Sequence, residues 1–183
     1  MEFKAIGLIE TNSVAKGIEC ADEMLKASDV DILLARPTCP GRYLAMVSGD
    51  VGSVQNSLDI GKEVAGEFLV DSFVIPNVHP AVFPALSCAT PVSELRALGI
   101  IETYSSASCI NAADAAVKAA AVDLIEIRCA TGLAGKSFVT LTGDVASVNS
   151  AVEAGIELLE AEGFIQSYVV IPSPSKELYK SLV

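Results

Sequence analysis

Among the side chains able to do chemistry, the thiol of Cys39 has the most distinctive setting. It lies in the run Pro37-Thr38-Cys39-Pro40-Gly41-Arg42, where two prolines stiffen the chain and a glycine lets the backbone turn sharply. A soft thiolate suits transition metals and iron–sulfur clusters, but a cubane cluster ordinarily takes four such ligands. The other four cysteines, Cys20, Cys88, Cys109 and Cys129, show no paired spacing, so no multi-cysteine metal motif is written along the chain. Cys20 and Cys109 read as helix residues packed in a core, and Cys88 falls in a connecting segment. Cys129 ends a strand beside a second loop and is a further candidate.

That second loop, Ala130-Thr131-Gly132-Leu133-Ala134-Gly135-Lys136-Ser137, fits a relaxed phosphate-loop pattern with Ala in place of the first Gly. A nucleotide-binding loop must deliver its Lys and Ser into a helix whose N-terminus holds the phosphates. Here Phe138-Val139-Thr140-Leu141 follows, which reads as a strand, so nucleotide binding is not expected. Free backbone amides and Lys136 suit a small anion instead. His79 is the only histidine, and neither an acid nor a nucleophile accompanies it locally, so a turn or interface role is expected. Paired carboxylates, a nucleophile elbow and zinc spacing are all missing from the sequence, and an enzyme is not expected.

These residues are carried by a chain of 183 residues, 51% hydrophobic and 19% charged, with 23 acidic against 12 basic residues. High hydrophobicity with modest charge excludes an intrinsically disordered chain. The net charge of -11 argues against nucleic acid, because phosphate binding draws on clustered Lys and Arg. A mean hydropathy of +0.50 raises the question of a membrane, yet the apolar-looking stretch from Ala112 to Ile127 holds Asp114, Lys118, Asp123 and Glu126, so no spanning helix is expected. Met1-Glu2-Phe3-Lys4 lacks the start of a signal peptide, and the odd number of cysteines reads as reduced thiols. The excess of apolar residues is expected to cover contacts with other subunits.

The elements that position the loops occur twice. Ala5-Ile6-Gly7-Leu8-Ile9-Glu10-Thr11 recurs as Ala97-Leu98-Gly99-Ile100-Ile101-Glu102-Thr103, an offset of 92 residues. From position 5 to 38 this offset gives identity at 15 of 34 positions, including Asp22/Asp114, Lys26/Lys118 and Arg36/Arg128. The offset then becomes 94, pairing Gly49-Asp50-Val51 with Gly143-Asp144-Val145, and finally 96, pairing Val74-Ile75-Pro76 with Val170-Ile171-Pro172. Order, spacing and glycine positions kept together identify two copies of one domain, divided near residue 90 into residues 1–89 and 90–183.

Each copy predicts the same elements. A strand at Ala5 to Glu10 meets the capping residues Thr11-Asn12-Ser13. A helix to about Ala27 follows, with Val14, Ile18, Ala21, Met24 and Leu25 on one stripe. Strands are expected at Asp31 to Arg36, Arg42 to Ser48 and Leu69 to Pro76, with a loop from Pro37, a helix from Gly49-Asp50 to about Glu67, and a short helix near Ala81 to Leu86. The second copy repeats the plan, with strands at Leu124 to Cys129 and Ser137 to Leu141. The order βαββαβ predicts an α+β fold of two tandem ferredoxin-like domains, each an antiparallel sheet with helices on one face.

With the repeat in view, Ala5 to Thr11, Ala21-Asp22-Glu23-Met24-Leu25-Lys26-Ala27, Gly49-Asp50-Val51 and Val74 to His79 resemble bacterial microcompartment shell proteins, over essentially the whole chain. Both copies open on the strand that starts the non-permuted domain order, unlike the circularly permuted tandem shell proteins. The resemblance implies a homotrimer that forms a pseudohexagonal tile, other shell proteins as neighbours, and a place in the microcompartment shell in the bacterial cytoplasm. It also implies that the loop between the second and third strands surrounds a central pore. The pore loops are then Thr38, Cys39, Pro40, Gly41 and Arg42 in one copy and Gly132, Leu133, Ala134, Gly135 and Lys136 in the other.

A residue near a threefold axis is presented three times, so the resemblance to the cluster-carrying trimeric type implies one 4Fe-4S cluster per trimer on three Cys39 thiolates. Electron transfer across the shell, toward an encapsulated redox enzyme, would follow. The alternatives are the same trimer with an open pore for small metabolites, and a ferredoxin-like enzyme or ligand-binding regulator. Lys26 and Lys118, at equivalent helix positions, are implied to lie at the tile edge, where the alternative is a solvated lysine with weak pairing.

Overall fold

The computed structural model describes residues 5–92, 94, 96–160 and 163–178; Met1 to Lys4 and the linker residue Ser93 lie outside the described residues. The chain resolves into two compact units. One runs to Val78 and takes in Ala130–Gly135; the other holds His79–Cys129 and everything from Lys136 onward.

In the first unit, β1 (Ala5–Thr11) is buried along its whole length because it is central. Strand β3 (Arg42–Gly49) pairs antiparallel on one side and β4 (Leu69–Pro76) on the other, with β2 (Asp31–Thr38) at the edge beyond β3. The order β2-β3-β1-β4 is the ferredoxin-like arrangement expected from the sequence. Helix α1 (Val14–Ala27) starts where Ser13 accepts from the Lys16 N–H, and α2 (Val51–Ala65) where Asp50 accepts from the Ser53 N–H. These caps satisfy amide donors that a helix start leaves without partners. The apolar stripes of both helices meet the sheet in a core of Ile9, Cys20, Ala21, Met24, Ala45, Val47 and Leu58. Each large side chain sealed there contributes about 1.5–3 kcal/mol.

Two boundaries differ from expectation. Strand β2 does not stop at Arg36 but continues through Pro37, opposite Tyr43, to Thr38, opposite Arg42. Because β2 is an edge strand, the N–H that proline lacks costs no ladder hydrogen bond. Helix α2 ends at Ala65 and a 3₁₀ turn spans Gly66–Phe68, since Gly66 has φ of +52°, a left-handed value that stops an α-helix.

The second unit repeats the plan. Its strands β5 (Ala97–Thr103), β6 (Val122–Arg128), β7 (Ser137–Gly143) and β8 (Ile165–Ile171) stand in the order β6-β7-β5-β8, with α4 (Ser106–Ala119) and α5 (Val145–Glu160). Strand β6 begins two residues before the expected Leu124 and leaves Cys129 outside. The short helix α3 (Val82–Leu86) packs within this second unit, against β6 and α4. No helix among the described residues is long and apolar enough to cross a membrane.

Glycine at position 17 is required by close approach. A Cβ there would lie 2.3 Å from Tyr43 Cβ and 2.7 Å from Thr11 Oγ1, distances that neither strand can yield without moving backbone. At Gly52, on the surface of α2, a Cβ would meet only the Asp50 carboxylate, at 3.3 Å. Gly17→Ala is expected to cost about 3 kcal/mol, while Gly52→Ala, which gains helix propensity, is expected to be neutral or slightly stabilising. Thermal unfolding of the two variants separates these outcomes.

Candidate functional site

Strands β2 and β3 hold the Cys39 loop at their hairpin end. Thr38, the last residue of β2, accepts the Gly41 N–H on its carbonyl at 3.0 Å, and Gly41 has φ of +98°, which closes the turn with a conformation that side chains disfavour. The Cys39–Pro40 peptide is cis, and the Cys39 thiol is exposed. The turn is pinned to the Ala130–Gly135 loop: the Cys39 N–H donates to the Ala130 carbonyl at 3.0 Å. A cleft lies between them, lined by Pro37, Thr38, Cys39, Gly41, Ala130 and Thr131.

Two basic residues anchor the loops to their sheets, and they are counterparts at the 94-residue offset. Arg42 Nη1 pairs with Glu10 Oε1 at 3.0 Å, the carboxylate being fully buried, and also donates to the Gly135 carbonyl at 3.3 Å. Gly135 has φ of +91°, and a Cβ there would come within 3.1 Å of Pro40 and 3.2 Å of the Arg42 guanidinium. The two loops thus touch where one of them has no side chain. Lys136 Nζ pairs with Glu102 Oε1 at 2.9 Å in the second unit. Its amine is therefore engaged by a carboxylate, which weakens its expected role toward anions. Strand β7 follows it directly, so the phosphate-loop pattern has no helix to complete it.

The structure brings Thr38, Cys39, Pro40, Gly41 and Arg42 together with Ala130, Thr131 and Gly135. Gly132 and Ala134 are exposed, with Leu133 half-buried, on the outer turn of the second loop. Ala130 and Ala134 have positive φ, at 43° and 52°; that strain was not legible in residues other than glycine. Cys129 is buried, as are Cys20 and Cys109, so Cys39 is the only exposed thiol at the loops. Among the described residues of one chain, no group of three His, Cys, Asp or Glu side chains is placed to hold a metal. A single chain therefore offers one soft ligand at this point, and a cluster would need others from equivalent chains.

Lys26 and Lys118 each lie in the last turn of their helix. Lys26 is exposed and bridges Asp22 and Glu23, the latter at 3.0 Å. Lys118 pairs with Asp114, which is buried and also accepts the His79 N–H at 2.7 Å. The two lysines hold equivalent positions in the repeat and have different surroundings.

The sheet order β2-β3-β1-β4 recurs as β6-β7-β5-β8, and the family description of the BMC domain matches the chain twice, over residues 5–78 and 97–174. The chain belongs to this family, the shell proteins of bacterial microcompartments. It is 43% identical over 98% of both chains to bacterial microcompartment shell protein PduT of Citrobacter freundii. The carboxysome assembly protein CcmO of Synechococcus elongatus is 31% identical, covering 97% of this chain and 68% of that protein. Among solved structures, a microcompartment protein from Desulfitobacterium hafniense superposes with a TM-score of 0.85 at 55% identity, covering 96% of this chain and 98% of that one. A fused permuted shell protein, MSM0275, shares the fold at a TM-score of 0.67 and 20% identity.

Two outcomes test this anchoring. Arg42→Met leaves the buried Glu10 carboxylate without its guanidinium and is expected to cost about 2–3 kcal/mol, read by chemical denaturation. The Lys136 hydrogen bond holds the Glu102 carboxyl below the usual carboxylate range against a smaller opposing effect of burial. Since the folded value is depressed, this pair's stabilisation is full above the unfolded value of about 4.3 and is lost as acid takes the pH through the depressed one. Both partners are partly exposed, so the contribution is about 0.5 kcal/mol. Lys136→Met is expected to lower stability by about that amount at neutral pH and to leave it unchanged below the depressed value, so that the acid limb of the profile flattens.

Proposed function

We propose that the protein is a structural shell component of a bacterial microcompartment in the bacterial cytoplasm, assembling as a homotrimer that mimics a hexagonal tile and packs among other shell proteins. The whole-chain identity to PduT is the observation that carries the shell role. Two domains per chain in non-permuted order support the trimer, because three such chains present six domains about one axis. Lys26 and Lys118 then serve at tile edges. The net charge of -11 per chain makes contacts between tiles sensitive to salt.

The reading extends to the centre of the tile. Cys39 is exposed on a loop stiffened by Pro37 and Pro40, and only one of the two loops in the chain carries a cysteine. Threefold repetition gives three thiolates, a donor set of the right softness for a 4Fe-4S cluster with its fourth iron position left to solvent or a small ligand. Such a cluster supplies one-electron redox chemistry, here for transfer across the shell to an encapsulated redox enzyme. The protein's part is to fix the thiolates, and the Cys39 N–H bond to Ala130 and the Arg42 bond to Gly135 do this by tying the loop to its neighbour.

Anaerobically purified protein is expected to be brown, with absorbance near ~400 nm that Cys39→Ser abolishes without loss of the trimer. A colourless wild-type trimer would favour the second reading, an open centre passing small metabolites through a cleft lined mostly by uncharged side chains. A particle mass of one chain would overturn the shell reading in either form.

A further inference from the structure

The connecting segment after the first copy shows how a segment after the second copy can be used. From His79 the chain makes a turn in which the Val82 N–H donates to the His79 carbonyl at 3.1 Å, and the His79 N–H itself donates to buried Asp114 on α4 at 2.7 Å. Helix α3 then lies on β6 and α4 with Val82 and Ala85 fully buried, and the Cys88 thiol reaches Glu126 on β6 at 3.4 Å. A polar cap and an apolar plug thus cover the outer strand and first helix of the second copy.

The C-terminal segment repeats this chemistry at the 96-residue offset. Ser175, Leu178, Tyr179 and Leu182 correspond to His79, Val82, Phe83 and Leu86. The turn is repeated as well: the Leu178 N–H donates to the Ser175 carbonyl at 3.0 Å. Leu178, however, is exposed where Val82 is buried.

The first copy carries the matching surface uncovered. Ile18 is 53% exposed against 0% for its counterpart Ile110, and Ile32 is 44% exposed against 1% for Leu124. Asp22, the counterpart of the Asp114 cap, is exposed and pairs with Lys26. Strand β2 is exposed or half-buried from Asp31 to Pro37, whereas β6 is buried at five of its seven positions.

We infer that the segment beginning at Ser175 of one chain docks on α1 and β2 of a second copy of this chain, with Asp22 of that copy capping the Ser175 N–H and Leu178 covering Ile18 and Ile32. The inference deepens the trimer reading and rests on it. Continuity of the repeat supplies the occupant: what the first copy's exit segment does for the second copy, the second copy's exit segment does for the first copy of the next chain, and threefold closure leaves none of these surfaces bare. Polar capping sets the register and burial of Leu178 against the two isoleucines supplies affinity.

The test joins assembly to a chemical cross-link. Deleting Ser175–Val183 is expected to weaken trimer formation at least about tenfold in analytical ultracentrifugation. In a Cys39→Ser, Cys88→Ser background, Ser175→Cys with Lys26→Cys and a short bismaleimide is expected to give covalent dimers and trimers on a denaturing gel. A link only within single chains, no link in an intact trimer, or a truncated protein as trimeric as the wild type would each overturn the docking while leaving the trimer reading in place. A wild type that is monomeric overturns the trimer reading, and the docking with it.

Discussion

A four-stranded sheet with two helices on one face cannot enclose itself, and most of what is distinctive in this protein follows from that constraint. In each copy the helices seal one side of the sheet, with Met24 and Leu58 against Ile9 and Ala45 in the first copy. The edge strand, the outer stripe of the first helix and the opposite sheet face must find cover elsewhere or remain wet. A chain that is 51% hydrophobic, with no helix among its described residues long and apolar enough to cross a membrane, is the compositional expression of the same fact.

Duplication within one chain lets the two copies meet that constraint differently. Were they separate and identical, a change at one loop would appear six times in a hexagonal ring. Fusion frees the loops to diverge: Cys39 with Arg42 in one, Gly135 with Lys136 in the other. The cations keep the same duty, each pairing with the glutamate at the end of its central strand, Glu10 or Glu102. The Glu10 carboxylate is sealed from solvent and Glu102 is not, so equal sequence roles carry unequal energies. Lys26 and Lys118 show the same asymmetry, one on an open helix surface and the other tied to a carboxylate that also caps the connecting segment.

The second loop holds left-handed conformations at Ala130, Gly132, Ala134 and Gly135 and the first at Gly41, while Asn77 and Cys88 adopt them elsewhere among the described residues. Such conformations persist where neighbours hold them. Here the holding is done by the Cys39 N–H, the Arg42 guanidinium and the absence of a side chain at Gly135. A rigid rim is what a central thiolate needs if three copies are to present one ligand set.

The sequence by itself determined the repeat, the βαββαβ order, a helix cap within Thr11-Asn12-Ser13, a helix opening at Gly49-Asp50, and Cys39 as the thiol of interest, because each depends on local spacing or on the comparison of two stretches of one chain. Periodicity also excluded a phosphate loop, since a strand pattern follows Lys136. Tertiary structure alone decided that β2 runs through Pro37, which is possible only because the strand is an edge and its missing N–H faces no partner. It alone decided that α3 packs within the second unit, that Arg42 is committed to a buried Glu10, and that Asp22 and Asp114, equivalent in the repeat, are one exposed and one buried. Burial and pairing are properties of what the fold brings alongside a residue, and neither is written in its neighbours along the chain.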